Sequence, residues 1–121
     1  MSNIYDEIKK SVPDLEYAKL NYSYIMSNGE AREKVEKLEK DLGGLAVYYE
    51  LTGKRLRIYF SPALGKEWSG SIVGKKVRLV GTNMVGEVTS EEPYFVSCSR
   101  CVRVQFGNDN DAYDITNLES V

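Results

Sequence analysis

Histidine is absent from this chain of 121 residues. That removes the commonest general base, the commonest nitrogen ligand for metals and the side chain that changes charge near neutral pH. A Ser-His-Asp or Cys-His relay is excluded within the chain. Cysteine is scarce too: Cys98 and Cys101 are the only two, too few for a disulfide framework, and they read as thiols. No apolar run approaches the roughly 18 residues of a membrane helix. The acidic start, Met1 to Glu7, lacks the basic-then-apolar order of a signal peptide. These features together point to a cytoplasmic protein with no membrane partner. Net charge is −2, and no basic arm exists: residues 1–68 hold equal numbers of basic and acidic side chains, and residues 69–121 lean acidic. Attraction to a polyanion is therefore not the default. Neither G-x-x-x-x-G-K-[ST] nor G-x-G-x-x-G occurs, so no phosphate loop and no cofactor are implied.

What is present is a globular composition, 42% hydrophobic, sufficient for a core without staples. Ile4, Ile8 and Val12 lie four apart, one stripe of a short helix. Pro13 interrupts it, and can itself open a second helix. The run Asp14–Met26 places Leu15, Ala18, Tyr22, Ile25 and Met26 on a helical face, with Tyr17, Leu20 and Tyr24 on other sides, and is expected to be helical. Ser27 and Glu30 have capping-box spacing. Ala31, Val35, Leu38 and Leu42 mark the next helical stripe, which Gly43-Gly44 ends.

Leu45–Leu51 and Arg55–Phe60, around Thr52-Gly53-Lys54, read as a β-hairpin. Leu56, Ile58 and Phe60 share one face of its second strand; Arg55, Arg57 and Tyr59 share the other. Ser61–Gly70 is expected to be a connector. From Ser71 the texture changes to short strands. Val77 and Leu79, then Val85 to Val88, suggest two. Val96 falls in a third, Val102, Val104 and Phe106 alternate with Arg103 and Gln105, and Gly107–Asp111 forms a polar turn.

The runs GKKVRLVGTNMVGEV, CVRVQF and YDITNLESV resemble a Tudor/KOW-type small barrel of Src-homology-3-like architecture, over about residues 70–121. The stretch Ser90–Arg100 departs from that pattern, and the first 68 residues have no counterpart in it. The expected fold class is therefore α+β: N-terminal helices and a β-hairpin over 1–68, then a small five-stranded barrel over 69–121. The resemblance implies a binding module for nucleic acid or for proteins of transcription and translation, with Lys75, Lys76, Arg78, Asn83, Arg100 and Arg103 as edge and loop contacts.

Four constellations bear on chemistry. Lys54, Arg55, Arg57 and Tyr59, with Tyr48 on the neighbouring strand, form a basic-aromatic face suited to phosphate or an acidic protein; the alternative is a solvated sheet face. Nine tyrosines are numerous, and tyrosine is favoured at interfaces as well as in cores. Cys98-Ser99-Arg100-Cys101 is a C-x-x-C, but structural zinc needs four ligands and a redox thiol needs a helix N-terminus, whereas Val102–Phe106 reads as a strand. Asn108–Asp111 is too short for a calcium loop.

No catalytic apparatus is expected. The leading expectation is a non-catalytic adaptor or inhibitor of a larger protein or ribonucleoprotein, in the style of phage accessory and anti-defence proteins. The alternative is a nucleic-acid-binding regulator that uses the barrel and the hairpin face.

Overall fold

The computed structural model describes residues 4–121. The chain divides into two compact units, the first ending at Glu67 and the second spanning Trp68–Val121.

In the first unit, helix α1 (Ile4–Ser11) leads into strand β1 (Glu16–Asn21), helix α2 (Asn28–Leu42), strands β2 (Leu45–Thr52) and β3 (Arg55–Ser61), and helix α3 (Pro62–Glu67). The strands are antiparallel in the order β1-β3-β2. Leu56 and Ile58 of β3 and Tyr49 of β2 are fully buried, as are Ala31 and Val35 of α2. Arg32 of α2 donates from Nε to the Tyr49 hydroxyl, so α2 covers the Tyr49–Ile58 face. Ser27 caps α2 as its spacing predicts, its hydroxyl accepting the Glu30 N–H at 3.2 Å. Gly43 ends it with φ 75°, a left-handed conformation that costs glycine no Cβ clash. Register slips between Ala46 and Tyr48, which leaves Val47 as a bulge. The Ala46 N–H is taken by the Glu39 carboxylate at 2.7 Å, which ties the bulge to α2.

The expected N-terminal helices are not all there. Residues 16–21, expected to be helical, form β1 instead, and a hairpin becomes a three-stranded sheet. Apolar side chains on several sides of 14–26 arise because Ala18 and Leu20 face one way while Tyr17 and Lys19 face the other, a period of two. Ser61–Gly70 is not a plain connector, because α3 occupies its first half. The Ser61 hydroxyl accepts the Leu64 N–H and Pro62 fills the first helical position, a start signal passed over in the sequence.

The second unit is six strands, not five: β4 (Lys76–Leu79), β5 (Val85–Val88), β6 (Tyr94–Val96), β7 (Ser99–Phe106), β8 (Asp109–Asp114) and β9 (Leu118–Ser120), with a 3-10 turn at Ile115–Asn117. Pairing runs β8-β7-β5-β4-β9, all antiparallel, with β6 also on β7. The added strand β6 uses the stretch Ser90–Arg100 that departs from the barrel pattern. The polar turn is shorter than expected, because Phe106 already faces Asp109 and only Gly107-Asn108 turn. With nine strands and three helices among the described residues, the chain is mostly β. The expected α+β arrangement of N-terminal helices, hairpin and five-stranded barrel is corrected accordingly.

Candidate functional site

The hairpin residues meet in the first unit. Antiparallel register sets Tyr17, Tyr59 and Tyr48 in one row across β1, β3 and β2. The next row on the same face is Lys19, Arg57 and Glu50, and the third is Asn21, Arg55 and Thr52. Tyr59 stacks on Tyr17 at 5.8 Å between centroids and 23° between planes. It stacks on Tyr48 at 5.9 Å and 27°. From α1, Tyr5 leans on Tyr59 at 5.8 Å and meets Tyr17 edge-on at 6.4 Å. The Tyr5 hydroxyl donates to the Leu15 carbonyl, which fixes α1 beside the sheet.

These side chains enclose a groove of about 500 Å³ lined by Ile4, Tyr5, Tyr17, Glu50, Arg57 and Tyr59. Tyr59 is its floor and is 5% exposed; Tyr17 is its wall and is 52% exposed. Burial pushes the Tyr59 phenol above the ordinary tyrosine range, and Glu50 adds to the rise while Arg57 opposes it. The Tyr59 hydroxyl reaches Glu50 only at 3.5 Å, a long contact. Among the described residues no side chain bonds or pairs with the Arg57 guanidinium. The groove therefore presents phenol edges, hydroxyls and the cationic fork of Arg57.

Of the residues singled out in the sequence, Tyr48, Arg55, Arg57 and Tyr59 come together on this face. Lys54 sits in the hairpin turn beyond it, where its carbonyl accepts the Tyr22 N–H. Tyr59 differs from the expectation of an open contact surface, since its ring is enclosed by three others. Sequence reasoning counted Tyr5 and Tyr17 only among the nine tyrosines and Ile4 only on a helical stripe, and it passed over Lys19 and Glu50. The alternation Tyr17-Ala18-Lys19-Leu20 carried the signal for β1; nothing local could bring α1 to it.

The second-unit candidates do not form a site. Lys76 pairs with Glu87 at 3.1 Å and Arg78 with Glu119 at 3.5 Å. Arg103 is held by the side chain and carbonyl of Asn110. Arg100 is buried with its guanidinium 4.5 Å from the centre of the Phe95 ring, and Lys75 lies over the Trp68 ring. Asn83 is exposed between β4 and β5. Each cation is engaged by its own neighbours instead of converging with the others. Cys98 lies in the two-residue turn between β6 and β7, and Cys101 is buried in β7. Burial pushes the Cys101 thiol up, and Asp114 adds to this, the reverse of an activated thiol. Among the described residues no three Cys, Asp or Glu side chains are placed to share a metal ion.

No helix among the described residues is long and apolar enough to cross a membrane. Comparison with known protein families, curated proteins and solved structures finds no match. The Tudor/KOW resemblance thus rests on sequence texture alone.

Proposed function

We propose that this chain is a non-catalytic binding protein, an adaptor or inhibitor that engages a larger protein through the tyrosine-lined groove of its first unit. The observation that carries this is the stacked row Tyr17-Tyr59-Tyr48 beside Arg57. Nucleobases bind aromatic residues by lying on open ring faces. Here the central ring, Tyr59, is covered by Tyr5, Tyr17 and Tyr48, Tyr17 alone of the row Tyr17-Tyr59-Tyr48 stays half open, and the rest of the groove is edges, hydroxyls and a guanidinium fork. That set suits the carboxylates and apolar side chains of a protein. Engagement of the second-unit cations by their neighbours also weighs against the nucleic-acid alternative, as does the net charge of −2.

The test is capture from a cell lysate on the immobilised full chain, with and without nuclease, compared with Tyr17→Ala and Arg57→Glu. A protein retained after nuclease, and lost at least tenfold in Arg57→Glu with thermal stability unchanged, is expected. Retention of nucleic acid, with proteins released by nuclease, overturns the reading in favour of a nucleic-acid regulator.

A further inference from the structure

Strand β1 ends the strand path of the first unit. The phase of its ladder fixes which of its backbone groups are used. The Tyr22 N–H donates to the Lys54 carbonyl at 2.7 Å, one step beyond the Asn21–Arg55 pair. Bonded and non-bonded positions alternate along an antiparallel pair. Leu20, Ala18 and Glu16 share the phase of Tyr22 and turn their N–H and C=O groups toward β3. Tyr17, Lys19 and Asn21 turn theirs outward, where the described residues supply no further strand.

Exposed strand edges are ordinarily blunted by proline, a bulge, shortness or an inserted charge. β1 has six residues in continuous register, without proline or bulge, and its only such devices are two charges, Glu16 at its first position and Lys19 at its centre. Exposed large side chains flank the edge: Tyr17 within it, and Tyr24 and Ile25 just past its end. The charge pattern is also unbalanced. Lys19 lies directly opposite Arg57, a like-charge pair across the ladder that is destabilising by itself. Arg55 continues the positive row, and Glu50 is the single carboxylate on this face of the three strands.

We infer that the β1 edge receives one extended strand of the protein partner, carrying Asp or Glu at alternating positions. This rests on the protein-binding reading of the groove and adds the mode and the chemistry of contact. The outward groups of Tyr17, Lys19 and Asn21 supply a ladder of main-chain hydrogen bonds. Alternation places the carboxylates on the face of Lys19 and Arg57, where they relieve the like-charge pair. A second copy of this chain fits less well: two-fold pairing of β1 with itself about Lys19 sets lysine against lysine.

The probe is a fluorescent eight-residue peptide of alternating Glu and Val, titrated into the full chain. Controls are the Lys-Val peptide and the Glu-Val peptide N-methylated at alternate amides in each of the two phases. The Glu-Val peptide is expected to bind, the Lys-Val peptide at least tenfold more weakly, and one N-methylated phase at least tenfold more weakly. Amide exchange at Tyr17, Lys19 and Asn21 should slow on binding. Lys19→Pro removes an N–H that the fold does not use, and is expected to abolish binding. If that variant does not fold, the exchange and N-methyl results decide. Failure of the Glu-Val peptide to bind overturns the inference. So does binding that ignores N-methylation and leaves the three amides unprotected, or a dimer in sedimentation that protects them without peptide. Lysate capture that survives Lys19→Pro but not Arg57→Glu overturns the edge mode alone; failure of capture altogether overturns the groove reading beneath it.

Discussion

The Ser61 hydroxyl donates to Asp14 Oδ1 across 2.6 Å, joining residues 47 apart in the chain. Asp14 Oδ2 also accepts the Ala63 N–H, at 2.9 Å. One carboxylate therefore ties the approach to β1 to the start of α3, and Ser61 is fully buried beneath it. Ser61→Ala removes a helix cap and leaves Asp14 without its hydroxyl donor. It should lower stability by about 1–2 kcal/mol, read from urea unfolding midpoints. Burial acts to raise the Asp14 pKa, but the hydrogen bonds from Ser61 and Ala63 outweigh it and hold the group below its ordinary value of 3.8. A depressed carboxylate stabilises the fold above its unfolded pKa, and that contribution disappears as pH falls through the folded one. Stability should thus fall with acidification below about pH 4, with a shallower slope in Asp14→Asn. An unchanged slope would remove Asp14 from this role.

Tyr59 should ionise above the ordinary phenol range of about 10 in a spectrophotometric titration. A raised pKa gives the folded state a proton that the unfolded state has already lost. Stability therefore declines as pH rises beyond about 10. Tyr22 shares the direction, raised by burial and by Tyr24, so Tyr59→Phe should reduce the alkaline decline without abolishing it.

Gly86 lies where β5 crosses against β7. A Cβ there would stand 2.6 Å from the Gln105 carbonyl oxygen and 2.7 Å from the Phe106 ring. The oxygen belongs to the backbone and cannot swing aside. Gly86→Ala should therefore destabilise the chain by about 1–3 kcal/mol in chemical denaturation. A neutral result would mean that β5 and β7 can separate freely.

The two thiols should differ in reactivity. Cys98 lies in a turn and is half-buried, whereas Cys101 is buried with a raised pKa. Alkylation at neutral pH, followed by peptide mass analysis, should modify Cys98 first and Cys101 only as the chain unfolds. Equal rates would contradict the burial of Cys101.

The sequence alone determined what depends on neighbours along the chain. The Ser27 cap and Gly43 stop of α2 are legible because capping needs only residues three or four apart. The hairpin of β2 and β3 follows from β-forming runs around a glycine turn, and the face shared by Arg55, Arg57 and Tyr59 follows from a period of two. Absence of histidine excluded imidazole chemistry outright. Tertiary structure decided the rest. Residues 14–26 carry apolar side chains compatible with either period, and only pairing with β3 makes 16–21 a strand, because that pairing satisfies backbone groups that local preference leaves undecided. Arg103 and Lys76 read alike as free cations until folding brings Asn110 and Glu87 beside them. The groove itself needs Tyr5 from α1, Tyr17 from β1 and Glu50, Arg57 and Tyr59 from the hairpin to meet. No local pattern encodes that meeting, since it arises when burial of the opposite sheet face by α2 leaves this face to be lined by tyrosine.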